Sequence, residues 1–294
     1  MSIIKVKNLT KRYGNFTAVN NVSFEVKKGT MLGFLGINGA GKTTVINMLA
    51  TLLTPDEGSV EICGEYLGKR DYEIRRKIGI VYQQNCLDDI LTVQENLICR
   101  GIIHGASQKE ARNQCMRLCE ILKLKEFIKK KYRTLSGGQK RRCEIAAALM
   151  HTPEILFLDE PTTGLDPATR LDVWNTIADL QKNEKMTVFL TTHYMEEAAG
   201  ADQIIIIDHG NIIASGTPFE LKEKFAMDKL MLYRKGKEEI IPVHSTLEAL
   251  PILESVKDTI DGFEVIQGNM DDVFLNAVEN GGNNNATVYN NYST

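Results

Sequence analysis

Residues 36–44 read GINGAGKTT and lie between an apolar run, MLGFLG at 31–36, and a helical run, VINMLATLL at 45–53. A strand must therefore enter a glycine-rich turn and leave it as a helix, which confines the surrounding fold more than any other stretch does. Gly36, Gly39 and Gly41 allow turn conformations closed to other residues, so successive backbone N–H groups can point inward at anionic oxygens. The helix start near Lys42 adds its positive end. Lys42 can reach phosphate as a point charge, and the Thr43 hydroxyl can ligate Mg²⁺. Kinases, GTPases, motors and ATPases share such a cradle, so the reaction must be decided elsewhere in the chain.

Up to about residue 225, short β-rich runs alternate with longer helical ones, as expected of an α/β domain with a mostly parallel sheet. The inner strands are expected at 31–36, 78–83, 154–159, 187–192 and 203–208, whose near-continuous apolar character suits burial on both faces. Between about 88 and 150 the pattern turns helical, with Thr92/Glu95 and Ser107/Glu110 at capping-box spacing. An inserted helical subdomain is expected there. Ala111, Cys115, Leu118, Cys119 and Leu122 share one helix face, and core packing accounts for both cysteines. Lys123, Lys125, Lys129, Lys130, Lys131 and Arg133 read as a solvated connector, with lipid headgroups or a partner as the alternative. Residues 226–278 mix β-like and short helical runs, a small α+β appendix, and 279–294 are too rich in Asn and Gly to cover a core, so disorder is expected.

The 35 Lys plus Arg against 38 Asp plus Glu give a formal charge of −3, without the bias of a chain living on nucleic acid phosphates. Six cysteines without a C-x-x-C pair suit a reduced, cytosolic compartment. The N-terminal run has no signal-peptide core, and the longest apolar stretches fall far below the roughly 18 residues needed to span a bilayer. Any membrane role requires another chain.

Two further segments narrow the chemistry. ILFLDEP at 155–161 ends a buried run in Asp159 and Glu160, where carboxylates at a strand's C-terminal edge can face a ligand. Asp159 suits Mg²⁺, directly or through water, leaving Glu160 to orient and deprotonate an attacking water. LSGGQ at 135–139 opens a second helix, with Ser136 and Gln139 at capping-box spacing and Gly137 and Gly138 between them. One cradle already wraps one triphosphate. The simplest use of a second is that Ser136, Gly137 and Gly138 grip the γ-phosphate held by another copy.

With these residues in order, the sequence resembles the nucleotide-binding subunits of ATP-binding cassette (ABC) transporters over nearly all of 1–225. Besides the segments above it shows Tyr13 in KRYG, Gln83 in IVYQQ, Asp166 in TTGLDP and His193 in TTHYMEE. The resemblance implies a P-loop NTPase fold, with ATP and Mg²⁺ as cofactors. It implies a nucleotide loop of Gly36, Asn38, Gly39, Ala40, Gly41, Lys42, Thr43 and Thr44. It makes Tyr13 a platform under adenine, Gln83 a ligand to Mg²⁺ and the attacking water, and His193 a γ-phosphate contact that steadies Glu160. Gln84, beside Gln83, leaves that register open. Ser136, Gly137, Gly138 and Gln139 become the signature of a second copy, and Asp166 a link across the dimer interface. Ala147 departs from the arginine frequent in similar subunits. The implied partners are a separate permease and a second ATPase subunit, identical or related, at the cytoplasmic face of the membrane. The ending GFEVIQGNMDDVFLNAVENG resembles that of drug and antibiotic exporter ATPases. The rivals are a soluble ATPase of this fold acting on ribosomes, DNA or an assembly scaffold, and a small-molecule kinase.

Overall fold

The computed structural model describes residues 1–234 and 236–281. These fall into two compact units: Met1–His193 with Ile207–Asn211, and Tyr194–Ile206 with the described residues from Ile212 onward.

The first unit begins with β1 (Ser2–Tyr13) and β2 (Phe16–Lys27), an antiparallel hairpin in register from Ser2↔Lys27 to Tyr13↔Phe16. Ile4, Val6 and Leu9 of β1 and Val19, Val22 and Val26 of β2 are buried, with register shifts between Val6, Leu9 and Lys11 interrupting the two-residue period. After β3 (Met31–Leu35) and α1 (Lys42–Leu49) come β4 (Glu57–Ile62) and β5 (Glu65–Tyr66), which complete an antiparallel sheet of order β2-β1-β4-β5. Then follow α2 (Asp71–Lys77), β6 (Ile78–Val81), α3 (Val93–Ile103), α4 (Gln108–Ile121), α5 (Gly137–Ala148), β7 (Ile155–Asp159), α6 (Pro167–Glu184) and β8 (Thr187–Thr192).

Strands β3, β8, β7 and β6 lie side by side in that order, all parallel, from Met31↔Val188 through Ile155↔Thr187 to Ile78↔Ile155. Every residue of β3, β7 and β8 is buried, the pattern of strands covered on both faces. Phe34, Phe157 and Phe189 join across three of these strands, with ring centroids 5.5 Å apart for Phe34–Phe189 and 5.4 Å for Phe157–Phe189. Phe24 of the antiparallel sheet meets Phe34 at 5.7 Å and fastens the two sheets together. Because the four strands are parallel, all four of their carboxyl ends open on one edge. Gly36, Gln83, Glu160 and His193 follow those ends within one or two residues.

The helical stretch forms as its caps dictate. Thr92, Ser107 and Ser136 each accept from the backbone N–H three residues on, and the Glu or Gln there reaches back to the cap. Cys115, Leu118, Cys119 and Leu122 are buried. Burial pushes the Cys115 thiol up to about 11, so it is an apolar core group with no thiolate chemistry at neutral pH. The connector lysines at 123, 125, 129, 130 and 131 are exposed, and its backbone is pinned by Val93 N–H to the Lys130 carbonyl and Gln94 N–H to Ile128.

In the remaining chain, β9 (Gln203–Asp208) and β10 (Asn211–Gly216) are joined by His209 and Gly210, at φ 44° and 77°, the left-handed pair a two-residue hairpin turn requires. The second unit continues with α7 (Pro218–Phe225), β11 (Asp228–Arg234), β12 (Lys237–Val243), α8 (Ala249–Val256), β13 (Gly262–Ile266) and α9 (Met270–Gly281). The strands form an antiparallel sheet of order β12-β11-β13, and Leu230, Leu232, Val243 and Ala249 pack with Ile252, Leu253 and Val256 of α8. The 3₁₀ turn Met195–Gly200 falls in this compact unit, where Met270 N–H donates to Glu196 Oε1 at 2.9 Å. The expected disorder at 279–294 meets helix as far as Gly281, and 282–294 lie outside the described residues. No helix among the described residues is long and apolar enough to cross a membrane.

Candidate active site

The loop after β3 closes around Lys42. Gly41 takes φ 109° as N-cap of α1, and a Cβ there would stand 2.5 Å from the Ala18 carbonyl, so both backbone angle and space demand glycine. Gly39 takes φ 84° with open space around it. At Gly36 the angle is ordinary, but an added Cβ would strike the Ile207 carbonyl. No side chain caps α1 and its first turn holds no acid, so the N–H groups of that turn are presented to an anion. Lys42 is only 4% exposed; its Nζ donates to the carbonyls of Gly36 at 2.7 Å and Ile37 at 3.1 Å and lies 3.4 Å from Glu160 Oε1. Burial pulls the Lys42 pKa down, and the Glu160 and Asp159 carboxylates oppose that. A glycine cradle, uncapped N–H groups and a buried ammonium together fit a polyphosphate.

Asp159 is the last residue of β7. Its Oδ1 accepts from Thr191 Oγ1 at 2.7 Å and lies 3.5 Å from the Thr43 hydroxyl. This pair supplies hard oxygen donors at the end of the cradle, a set that suits Mg²⁺ sharing its shell with phosphate and water. The next residue, Glu160, turns back in a left-handed conformation at φ 46°, held by its N–H bonds to the Thr191 carbonyl at 3.2 Å and hydroxyl at 3.1 Å. Its carboxylate faces Lys42 and accepts from Thr163 Oγ1 at 3.1 Å and Gln83 Nε2 at 3.4 Å, with His193 Nδ1 3.2 Å away. Burial alone would raise the Glu160 pKa, but Lys42, His193 and Thr163 outweigh it and hold the group below the ordinary carboxylate value. An ionised carboxylate, a glutamine and a histidine converge beside a buried lysine, with each of the four strand ends contributing. Of the two adjacent glutamines, Gln83 is the one that reaches Glu160.

The second helix start lies elsewhere. Ser136 N–H donates to Gln139 Oε1 at 3.1 Å, and Gln139 N–H to Ser136 Oγ at 3.4 Å. Asp166 caps α6 through Thr169 N–H at 3.1 Å, and the Thr169 hydroxyl first and this N–H second keep its carboxyl below the usual range. Gly138 is pressed against Thr169: an added Cβ would overlap the Thr169 methyl, while at exposed Gly137 it would come within 3.0 Å of Leu165 Cδ2. Among the described residues, no hydrogen bond joins Ser136, Gly137, Gly138 or Gln139 to Lys42, Asp159 or Glu160. Tyr13 ends β1, half-exposed, with Lys11 Nζ 5.9 Å from its ring centroid. Four residues escaped the sequence reading: Thr163 and Thr191, which steady the acids, and the buried Arg141 and Glu144 of α5. The threonines stand in the TTG and TTH segments already singled out for their neighbours; the two charges carried no signal.

The ABC transporter family matches residues 19–163. The linearmycin resistance ATP-binding protein LnrL of Bacillus subtilis is 42% identical over 78% of this chain and 74% of its own. The chain belongs to the ABC transporter ATP-binding proteins. The Nod factor export ATP-binding protein I of Burkholderia orbicola is also 42% identical, over 78% of this chain and 76% of its own. Among solved structures, a dimeric ATP-binding cassette in a post-hydrolysis state with ADP and phosphate matches at a TM-score of 0.65 and 32% identity, over 73% of this chain and 98% of that one. The cassette described here is thus an ATP-binding, ATP-hydrolysing subunit of that family.

Proposed function

We propose that this chain powers export through a separate membrane permease, working at the cytoplasmic face as a pair of ATPase subunits that close on ATP and reopen after hydrolysis. The ATPase domain is assigned to residues 1–225 and an accessory module to 226–278. The observation that carries the reading is the separation of two half-sites. Lys42, Asp159, Glu160, Gln83 and His193 gather at one sheet edge, whereas Ser136–Gln139 cap a separate helix and, among the described residues, hydrogen-bond none of Lys42, Asp159 and Glu160. One copy then holds the polyphosphate and the other presents its Ser136 hydroxyl with the Gly137 and Gly138 N–H groups.

Each residue has one task. The loop from Gly36 to Thr44, with Asn38 and Ala40, wraps the phosphates, Lys42 neutralises them, and Tyr13 stacks under the base. Thr43, Asp159 and Gln83 would hold Mg²⁺, whose contribution when bound is to offset charge on the phosphate oxygens. Glu160, already ionised, accepts the proton of a water that Gln83 orients. His193 keeps the carboxylate in place and contacts the γ-phosphate, and Asp166 lies where the two copies meet. ATP favours the closed pair because the γ-phosphate contacts exist only with ATP. Export is supported by relatives named for drug resistance and for Nod factor export.

A Glu160→Gln chain tests this. General-base removal costs about 10²–10⁴-fold, so turnover should fall by that factor while ATP still binds and the chain accumulates as an ATP-bound dimer. Wild-type turnover in that variant would remove Glu160 from the role of base.

A further inference from the structure

The helix that carries the signature also holds the hydrolytic site of its own chain, through two buried charges. Arg141 of α5 is 5% exposed, and its guanidinium makes three bonds, all to main-chain carbonyls: Nε to Pro161 at 2.5 Å, one terminal nitrogen to Tyr82 at 2.6 Å and the other to Glu160 at 3.1 Å. Tyr82 immediately precedes Gln83, and Glu160 and Pro161 flank the peptide that follows the hydrolytic acid. One turn on, Glu144 is 6% exposed, and its Oε1 accepts from Cys86 N–H at 2.9 Å, Leu87 N–H at 3.2 Å and the Tyr132 hydroxyl at 2.7 Å. The Gln83 loop is therefore hung between two points on α5, one before it and one after.

We infer that Arg141 is a positioning residue that sets Glu160 and Gln83 for hydrolysis and ties both to the helix whose first residues meet the other copy's ATP. The inference rests on the function proposed above and adds a route between the two sites of the pair. A planar fork can satisfy three carbonyls in fixed directions, which an ammonium on a flexible stem cannot. Glu160 needs such a hold, since a left-handed backbone is costly for any residue other than glycine and persists only when its surroundings impose it. Arg141 lies five residues from Ser136, so a push on the helix start is delivered within about a turn and a half of rigid helix. When Ser136–Gly138 engage ATP on the other copy, α5 shifts Glu160 and the Gln83 loop of its own chain together.

The test uses the full chain with Arg141→Lys and Arg141→Ala, and Glu160→Gln in parallel. A misplacement on the scale of 1 Å costs about 10²-fold. Arg141→Lys should therefore lose about that factor in kcat while its affinity for a fluorescent ATP analogue stays within about twofold. Millimolar guanidinium, well below denaturing levels, should restore at least about tenfold of the rate lost in Arg141→Ala by refilling the fork, and should do nothing for Glu160→Gln. If Arg141→Ala does not fold, Arg141→Lys carries the test alone. Wild-type kcat in Arg141→Lys overturns the inference. So does a parallel loss of kcat, ATP affinity and melting temperature, the signature of a purely structural role. An active Glu160→Gln chain would refute the underlying reading instead; an inert Glu160→Gln beside an active Arg141→Lys sinks only the inference.

Discussion

The demand for glycine at Gly138 has a cause within the chain that can be separated from any role toward a second copy. A Cβ built at Gly138 would fall inside 3.0 Å of Thr169 Cγ2, closer than real Cβ atoms come, whereas Thr169 Cβ and Oγ1 would be at an ordinary 3.6 and 3.9 Å. The conflict is with one methyl group. Forcing α5 away from α6, or Thr169 off its rotamer, costs about 1–3 kcal/mol, offset by up to about 1 kcal/mol because alanine is the better helix former. Gly138→Ala should thus destabilise the protein by about 0–3 kcal/mol. Thr169→Ser removes the offending methyl and by itself costs less than about 1 kcal/mol. The double variant should then recover wild-type stability or exceed it. Urea denaturation of the four proteins in a double-mutant cycle reads the coupling, expected at about 1–3 kcal/mol in favour of the double variant. Additive effects, with no recovery, would refute the packing argument. If stability returns while ATPase activity does not, the remaining defect belongs to the contact with the other copy.

Two further outcomes follow from the geometry. Tyr13→Ala removes a half-exposed ring, and since base stacking is worth about 1–3 kcal/mol, ATP affinity measured by titration should fall about 5- to 150-fold at unchanged thermal stability. The folded-state pKa of Glu160 lies below its ordinary 4.5, so its stabilising contribution is present above pH 4.5 and is lost as pH falls through the lower folded value. The stability gap between wild type and Glu160→Gln should accordingly shrink below pH 4.5 in acid denaturation; a gap that widens there would contradict the ion pairing.

How much was legible follows from where each signal lives. The cradle is local: its glycines, lysine and threonine occupy nine consecutive residues between a strand and a helix, so sequence order alone assembles it. Capping boxes are equally local, and all three expected ones form. Parallel strands buried on both faces announce themselves as apolar runs, and their alignment accounts for Gln83, Glu160 and His193 reaching one edge across more than a hundred residues. Arg141 and Glu144 stayed hidden because KRRCE reads as a polar helix face, and only the tertiary fold reveals that two of those charges point inward to satisfy backbone groups. The long hairpin β1–β2 is poorly legible because only Ile4 and Val6 keep the two-residue period, and register shifts between Val6, Leu9 and Lys11 then break it. That the turn Met195–Gly200 bonds to Met270 was not legible, because the two are remote in sequence.

One ATP must be completed by two copies, and mixing two disabled chains tests that directly. Lys42→Ala lacks the cradle's charge. Gly137→Asp, at an exposed position, places a carboxylate where the γ-phosphate of the other copy would rest and leaves its own cradle intact. Each is expected to be inactive alone. In a 1:1 mixture half of the pairs are mixed, each with one intact site, so activity should return to about a quarter of wild type if the sites act independently. Full activity of Gly137→Asp alone, or no recovery on mixing, would contradict the claim.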